Sequence, residues 1–69
     1  MEKNIEIPRE YKKRVDKVVN HILKNIGSDL SLEKLAALAN YSPFHFQRVF
    51  KEVVGESPKQ YIIQVRLES

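Results

Sequence analysis

The stretch SLEKLAALANYSPFHFQRVFKEVVG, residues 31–55, sets the fold, because it holds two helices and the corner between them. Ser31 is placed to accept backbone N–H groups as an N-cap ahead of LEKLAALA, where Leu32, Leu35, Ala36 and Ala39 share one helical face. A helix of two turns is too short to persist in water by itself, so packing must hold it, and its small alanines imply close approach by another helix. Asn40-Tyr41-Ser42 then breaks the period. Asn tolerates left-handed backbone, Ser42 can cap, and Pro43 suits the first position of a following helix, which Gly55 ends.

Outward from this core the same logic finds two more helices. Before it, Tyr11, Val15, Val18, Ile22 and Ile26 recur at spacings of three and four, with Val19 and Leu23 widening the stripe. Pro8 fits the first turn, and Gly27 offers a left-handed residue to close the helix. After the core, Ser57-Pro58 repeats the serine-proline start, and Tyr61, Ile62 and Val65 form the inward stripe of a last helix. Ile63 and Leu67 fall off that stripe, as a second apolar face meant for a partner. The expected class is all-α, with helices over about 8–26, 32–39, 43–54 and 58–68, and no strand, internal repeat or low-complexity segment is found.

Composition narrows the function. Sixty-nine residues make one small domain, so a deep interdomain pocket is not expected and an enzyme is disfavoured. The absence of cysteine excludes disulfides, thiolate zinc sites and thiol nucleophiles, and fits a reducing, cytoplasmic setting. No apolar run is long enough for a membrane span, and the start MEKNIEIPREYKKR lacks the apolar segment of a secretory signal. A formal net charge of +3 leans toward polyanions, a bias many non-binders share.

Two short helices joined by about three residues fit a helix-turn-helix, which presents its second helix to the DNA major groove. In that helix Phe46, Val49, Phe50 and Val53 point inward, leaving Phe44, Gln47, Arg48 and Lys51 on the other side. Gln47 has the groups to pair with adenine N6 and N7, Arg48 with guanine O6 and N7, and Phe44 can meet thymine methyls, while Lys51 suits phosphate. From pattern alone, a Gln-Arg pair is more often a solvated face than a reading one, and Phe44 could fold beside Tyr41 as core. The run Lys12-Lys13-Arg14 reads as solvated helix surface, with phosphate contact as the minority reading. His21 and His45 sit in different helices without an acidic cluster between them, so neither a metal nor a cofactor is expected.

Residues 29–67, DLSLEKLAALANYSPFHFQRVFKEVVGESPKQYIIQVRL, resemble the AraC/XylS family of bacterial transcription regulators, specifically the first of the two helix-turn-helix units of their DNA-binding domain. LSLEKLA, YSPFHFQRVFK, GESPKQYI and the terminal VRLE carry the resemblance, in that order and at family-like spacing. It implies a homeodomain-like helix-turn-helix subdomain whose recognition helix, 43–53, opens at Pro43 and uses Phe44, Gln47 and Arg48 for groove contact. The partner implied is double-stranded DNA, with no membrane.

Residues 1–69 are expected to form the N-terminal half of an AraC-type DNA-binding domain, truncated in the linker helix that starts at Tyr61, so that a second helix-turn-helix unit is missing. The early position of the motif, with PREYKKRVDKVVNHILKNI and SPFHFQRVFK, is similar to members whose DNA-binding domain comes first and is followed by a GyrI-like effector domain. The competing expectation is a small helical protein-interaction module without DNA binding, using Phe44, Ile63 and Leu67.

Overall fold

The computed structural model describes residues 7–68. They form four helices: α1 (Arg9–Lys24), α2 (Leu32–Ala39), α3 (Pro43–Val54) and α4 (Pro58–Glu68). Among the described residues there is no strand, as expected for an all-α chain.

The ends of α2, α3 and α4 are set by the local chemistry that the sequence displays. Ser31 Oγ accepts from the Lys34 N–H at 3.3 Å, Ser42 Oγ from the His45 N–H at 3.3 Å, and Ser57 Oγ from the Gln60 N–H at 3.2 Å. Each serine satisfies an amide that the first helical turn leaves without a partner, a contribution of about 1 kcal/mol. At the other end of α2, Asn40 adopts left-handed backbone with φ 66°. Its N–H donates to Ala37 O at 3.0 Å, and the Tyr41 N–H donates to Ala36 O at 2.9 Å, the paired bonds of a Schellman ending. Gly55, at φ 98°, closes α3 by donating to Lys51 O at 2.8 Å.

The first helix departs from expectation at its end. It stops at Lys24 instead of running to Ile26, and Gly27 is not left-handed. The backbone leaves the helical region at Asn25, φ −128° and ψ 39°, whose side-chain Nδ2 donates at 2.8 Å to His21 O, the oxygen its own N–H also reaches at 3.0 Å. An asparagine side chain offers the last turn an alternative donor, and the helix ends there before glycine is needed.

The core lies where α1 crosses the α2–α3 pair. Val15, Val18 and Ile22 of α1 meet Leu35, Ala36 and Ala39 of α2 and Phe46, Val49 and Phe50 of α3, all buried. Ala36 and Ala39 have no side chain beyond Cβ, which lets α2 lie close to its neighbours. Phe46 and Phe50 stack at 5.6 Å between ring centroids, and Tyr61 of α4 meets Phe50 edge-on at 5.8 Å. No polar or charged residue is buried as a whole among the described residues. Fully burying side chains of this size contributes about 1.5–3 kcal/mol each, so these three helices hold most of the stability.

Two residues assigned inward by periodicity sit elsewhere. Leu23 is 51% exposed. It lies about 100° around the helix from Ile22, beyond the strip that two partner helices can cover. Val53 is only half-buried, packed against the edge of the core.

The last helix is held by less. Ile62 and Pro58 are its buried residues, while Ile63 is 48% and Leu67 82% exposed. Arg66 reaches back to the α1–α2 connection, where Nε donates to Ile26 O at 3.4 Å and Nη2 to Ser28 O at 3.3 Å.

Candidate nucleic-acid interface

The α2–α3 corner aims α3 outward. Asn40 reverses the chain, Ser42 caps the new helix, and the Phe46 N–H donates to Ser42 O at 2.8 Å, so regular α-helix begins within one turn of the corner. Because Phe46, Val49 and Phe50 are pinned in the core, the opposite side of α3 has to face solvent. Pro43, Phe44, Gln47, Arg48 and Lys51 are all exposed there. Phe44 is 72% exposed, so it does not fold down beside Tyr41. Lys51 lies seven positions after Phe44, about 10 Å along a helix, and an α-helix with its side chains is about as wide as the major groove.

The two flanks of α3 differ. On one side Gln47 borders an apolar groove formed with Leu30, Leu32 and Leu35 and with Ile62 and Ile63 of α4. On the other side Arg48 shares a shallow cleft with His45, Glu52 and Tyr11 of α1. Tyr11, Tyr41 and His45 form an aromatic cluster at the start of α3, with centroid separations of 6.0 Å for the two tyrosines and 4.7 Å for Tyr41 and His45. His45 is therefore part of the corner's packing as well as the helix surface. His21 is remote from it, against Asn25 at the end of α1. No group of three or more His, Cys, Asp or Glu side chains able to hold a metal occurs among the described residues.

Of the basic run in α1, Lys12 and Lys13 are exposed as expected, but Arg14 is only partly exposed. Its guanidinium lies over the Tyr41 ring and points toward the carbonyl oxygens of Ala39 and Asn40. Sequence reasoning missed this role, because nothing local tells which α1 residue crosses the corner. The only sequence signal is that Arg14 follows Tyr11 by three positions and so borders the buried stripe.

The family described as bacterial regulatory helix-turn-helix proteins, AraC family, matches residues 22–62, more than half of the chain and the whole α2–corner–α3 unit. The chain belongs to the AraC family. Several AraC-family relatives align with it. The bifunctional transcriptional activator/DNA repair enzyme AdaA of Bacillus subtilis (strain 168) is 40% identical over 55 residues, which cover 80% of this chain and 26% of AdaA. The XylDLEGF operon transcriptional activator of Pseudomonas putida is 41% identical over 54 residues, 78% of this chain and 17% of that protein. The multiple antibiotic resistance protein MarA of Escherichia coli (strain K12) is 42% identical over 48 residues, 70% of this chain and 38% of MarA. This chain therefore spans well under half the length of each relative. No solved structure matches it significantly.

Sequence-specific DNA binding in transcription regulation is the work of the AraC family, and this chain carries its helix-turn-helix. AdaA is named as an enzyme as well as an activator, and its aligned part is the one shared with the regulators. None of the described helices is long and apolar enough to cross a membrane.

Proposed function

We propose that this chain docks α3 in the major groove of double-stranded DNA and reads its sequence there. Arg48 donates to guanine O6 and N7, Gln47 pairs with adenine N6 and N7, and Phe44 makes apolar contact with a thymine methyl. Lys51, one turn further along, contacts phosphate, as does the Phe44 N–H at the start of α3. One observation carries the reading: a phenylalanine left 72% exposed shares a helix face with Gln47, Arg48 and Lys51, opposite a fully buried face. A large aromatic ring stays in water at a cost unless that surface is used. The activity proposed is binding and not catalysis, and it belongs in the cytoplasm, where a bacterial chromosome lies.

We further propose that the chain works as the first of two helix-turn-helix units, with α4 leading to the second. The exposed Ile63 and Leu67 and the much greater length of the relatives support this. Likeness of the α1 sequence to regulators with a leading DNA-binding domain supports a GyrI-like effector domain beyond that unit.

Titration with random-sequence duplex across a salt series tests the DNA reading. Binding should weaken steeply as salt rises, because each phosphate contact releases condensed counterions. The apolar groove beside α4, with Ile63 and Leu67, favours a second reading as a protein-interaction module. In that case self-association or partner binding would hold or strengthen with salt, and duplex would not bind.

A further inference from the structure

Glu52 is the residue of α3 whose position local physics does not favour. It lies in the last turn, two positions from the Val54 terminus, where the carbonyl end of the helix repels negative charge. It follows Arg48 by four, the less favourable order for an acid and a base on one helix. Among the described residues no ion pair or hydrogen bond engages its carboxylate. Yet it is exposed, and it borders both surface hollows that flank Arg48, one with Tyr11 and His45 and the other with Lys51. A carboxylate that is costly to its own helix and uncompensated by any partner is expected where function outweighs stability.

We propose that Glu52 is a specificity-determining residue that filters DNA by charge. The proposal rests on α3 being the DNA-reading helix. Phosphates run along both walls of the major groove, and a nonspecific complex is held almost entirely by cations on phosphate. Arg48 and Lys51 would satisfy such a complex on any sequence. Glu52, set beside both, repels a phosphate brought into either hollow and so weakens docking registers in which Arg48 grips backbone. It penalises least the register in which Arg48 points at a base edge, because guanine O6 and N7 bring no net charge toward Glu52 and only Lys51 then holds phosphate beside it. Discrimination then comes from a penalty on wrong complexes, in addition to the attraction in the right one.

The experiment compares the full chain with Glu52→Gln on two duplexes: random sequence, and the tightest duplex that the wild-type protein selects from a random pool. Glu52→Gln should bind random duplex roughly threefold or more tightly, the size expected for removing one like charge several ångströms from a phosphate in water. It should change affinity for the selected duplex less, so that the ratio of the two falls, with thermal stability unchanged or raised. An equal gain on both duplexes would show plain repulsion without discrimination and overturn the proposal. Loss on the selected duplex alone would make Glu52 a direct acceptor from a base amino group, which also overturns it. If the wild-type chain binds neither duplex at any salt concentration, the DNA-binding reading fails first. Failure of the filter alone is marked instead by wild-type binding that the substitution leaves in the same ratio.

Discussion

The Arg14 guanidinium carbon stands 4.9 Å from the centroid of the Tyr41 ring, joining α1 to the corner that launches α3. The same guanidinium points toward the ends of α2, with Nη1 3.4 Å from Ala39 O and 3.5 Å from Asn40 O, and it pairs with Glu10 at 3.0 Å. A positive charge at the carbonyl end of a helix is favourable, and stacking on an aromatic face adds to it. Arg14→Ala should cost about 1 kcal/mol, because the side chain is 32% exposed and solvent screens much of the attraction. Urea denaturation checks this; an unchanged midpoint would mean that Arg14 is surface after all.

Tyr41 separates ring from hydroxyl. Its oxygen is buried without a hydrogen-bond partner in the protein, while its ring packs against Tyr11, His45 and Arg14. Tyr41→Phe should therefore be neutral or stabilising by up to about 1 kcal/mol, since it removes an unsatisfied polar group and keeps every ring contact. Tyr41→Ala should destabilise by about 3 kcal/mol. Thermal melts of the two variants decide it: equal losses would mean the hydroxyl matters as much as the ring.

Asn40 offers a test of the corner itself. At φ 66° it sits in backbone that glycine adopts freely and alanine does not. Asn40→Gly should leave stability within a few tenths of a kcal/mol, and Asn40→Ala should cost about 1–2 kcal/mol. If alanine is tolerated as well as glycine, the corner is not left-handed in solution.

The core assignment is checked at Phe50, fully buried between Phe46 and Tyr61. Phe50→Ala should cost about 3–5 kcal/mol, comparable to the whole stability of a domain this small, and leave it largely unfolded by circular dichroism. A helical, cooperatively melting variant would reverse the inward and outward faces of α3.

Arg48 and Lys51 should fail differently when removed. Arg48→Ala should lower discrimination between selected and random duplex by about 1–3 kcal/mol. Lys51→Ala should weaken all sequences alike and reduce the salt slope by roughly one. Titrations at three or more salt concentrations separate the two, and an unchanged slope for Lys51→Ala would remove it from the phosphate contacts.

Sequence by itself determined what depends on neighbours along the chain. The serine caps at 31, 42 and 57, the left-handed residues Asn40 and Gly55, and the burial of Val15, Val18, Ile22, Phe46, Val49 and Phe50 all follow from hydrogen bonds and periodicities spanning four residues or fewer. The end of α1 escaped prediction, although it too is local, because Asn25 and Gly27 are both able to stop a helix and only the formed bonds show that Asn25 acts first. Exposure of Phe44 followed once its helix was fixed by the other two phenylalanines. Tertiary structure alone decided which residues from different helices meet. Arg14 lies 27 positions before Tyr41, and no period along α1 records that the corner stops above it. The cleft beside Arg48 that Tyr11 closes exists only because α1 crosses beside α3. The crossing is set by how the small alanines of α2 let three helices close around one core, a property of packed volume that no single segment carries.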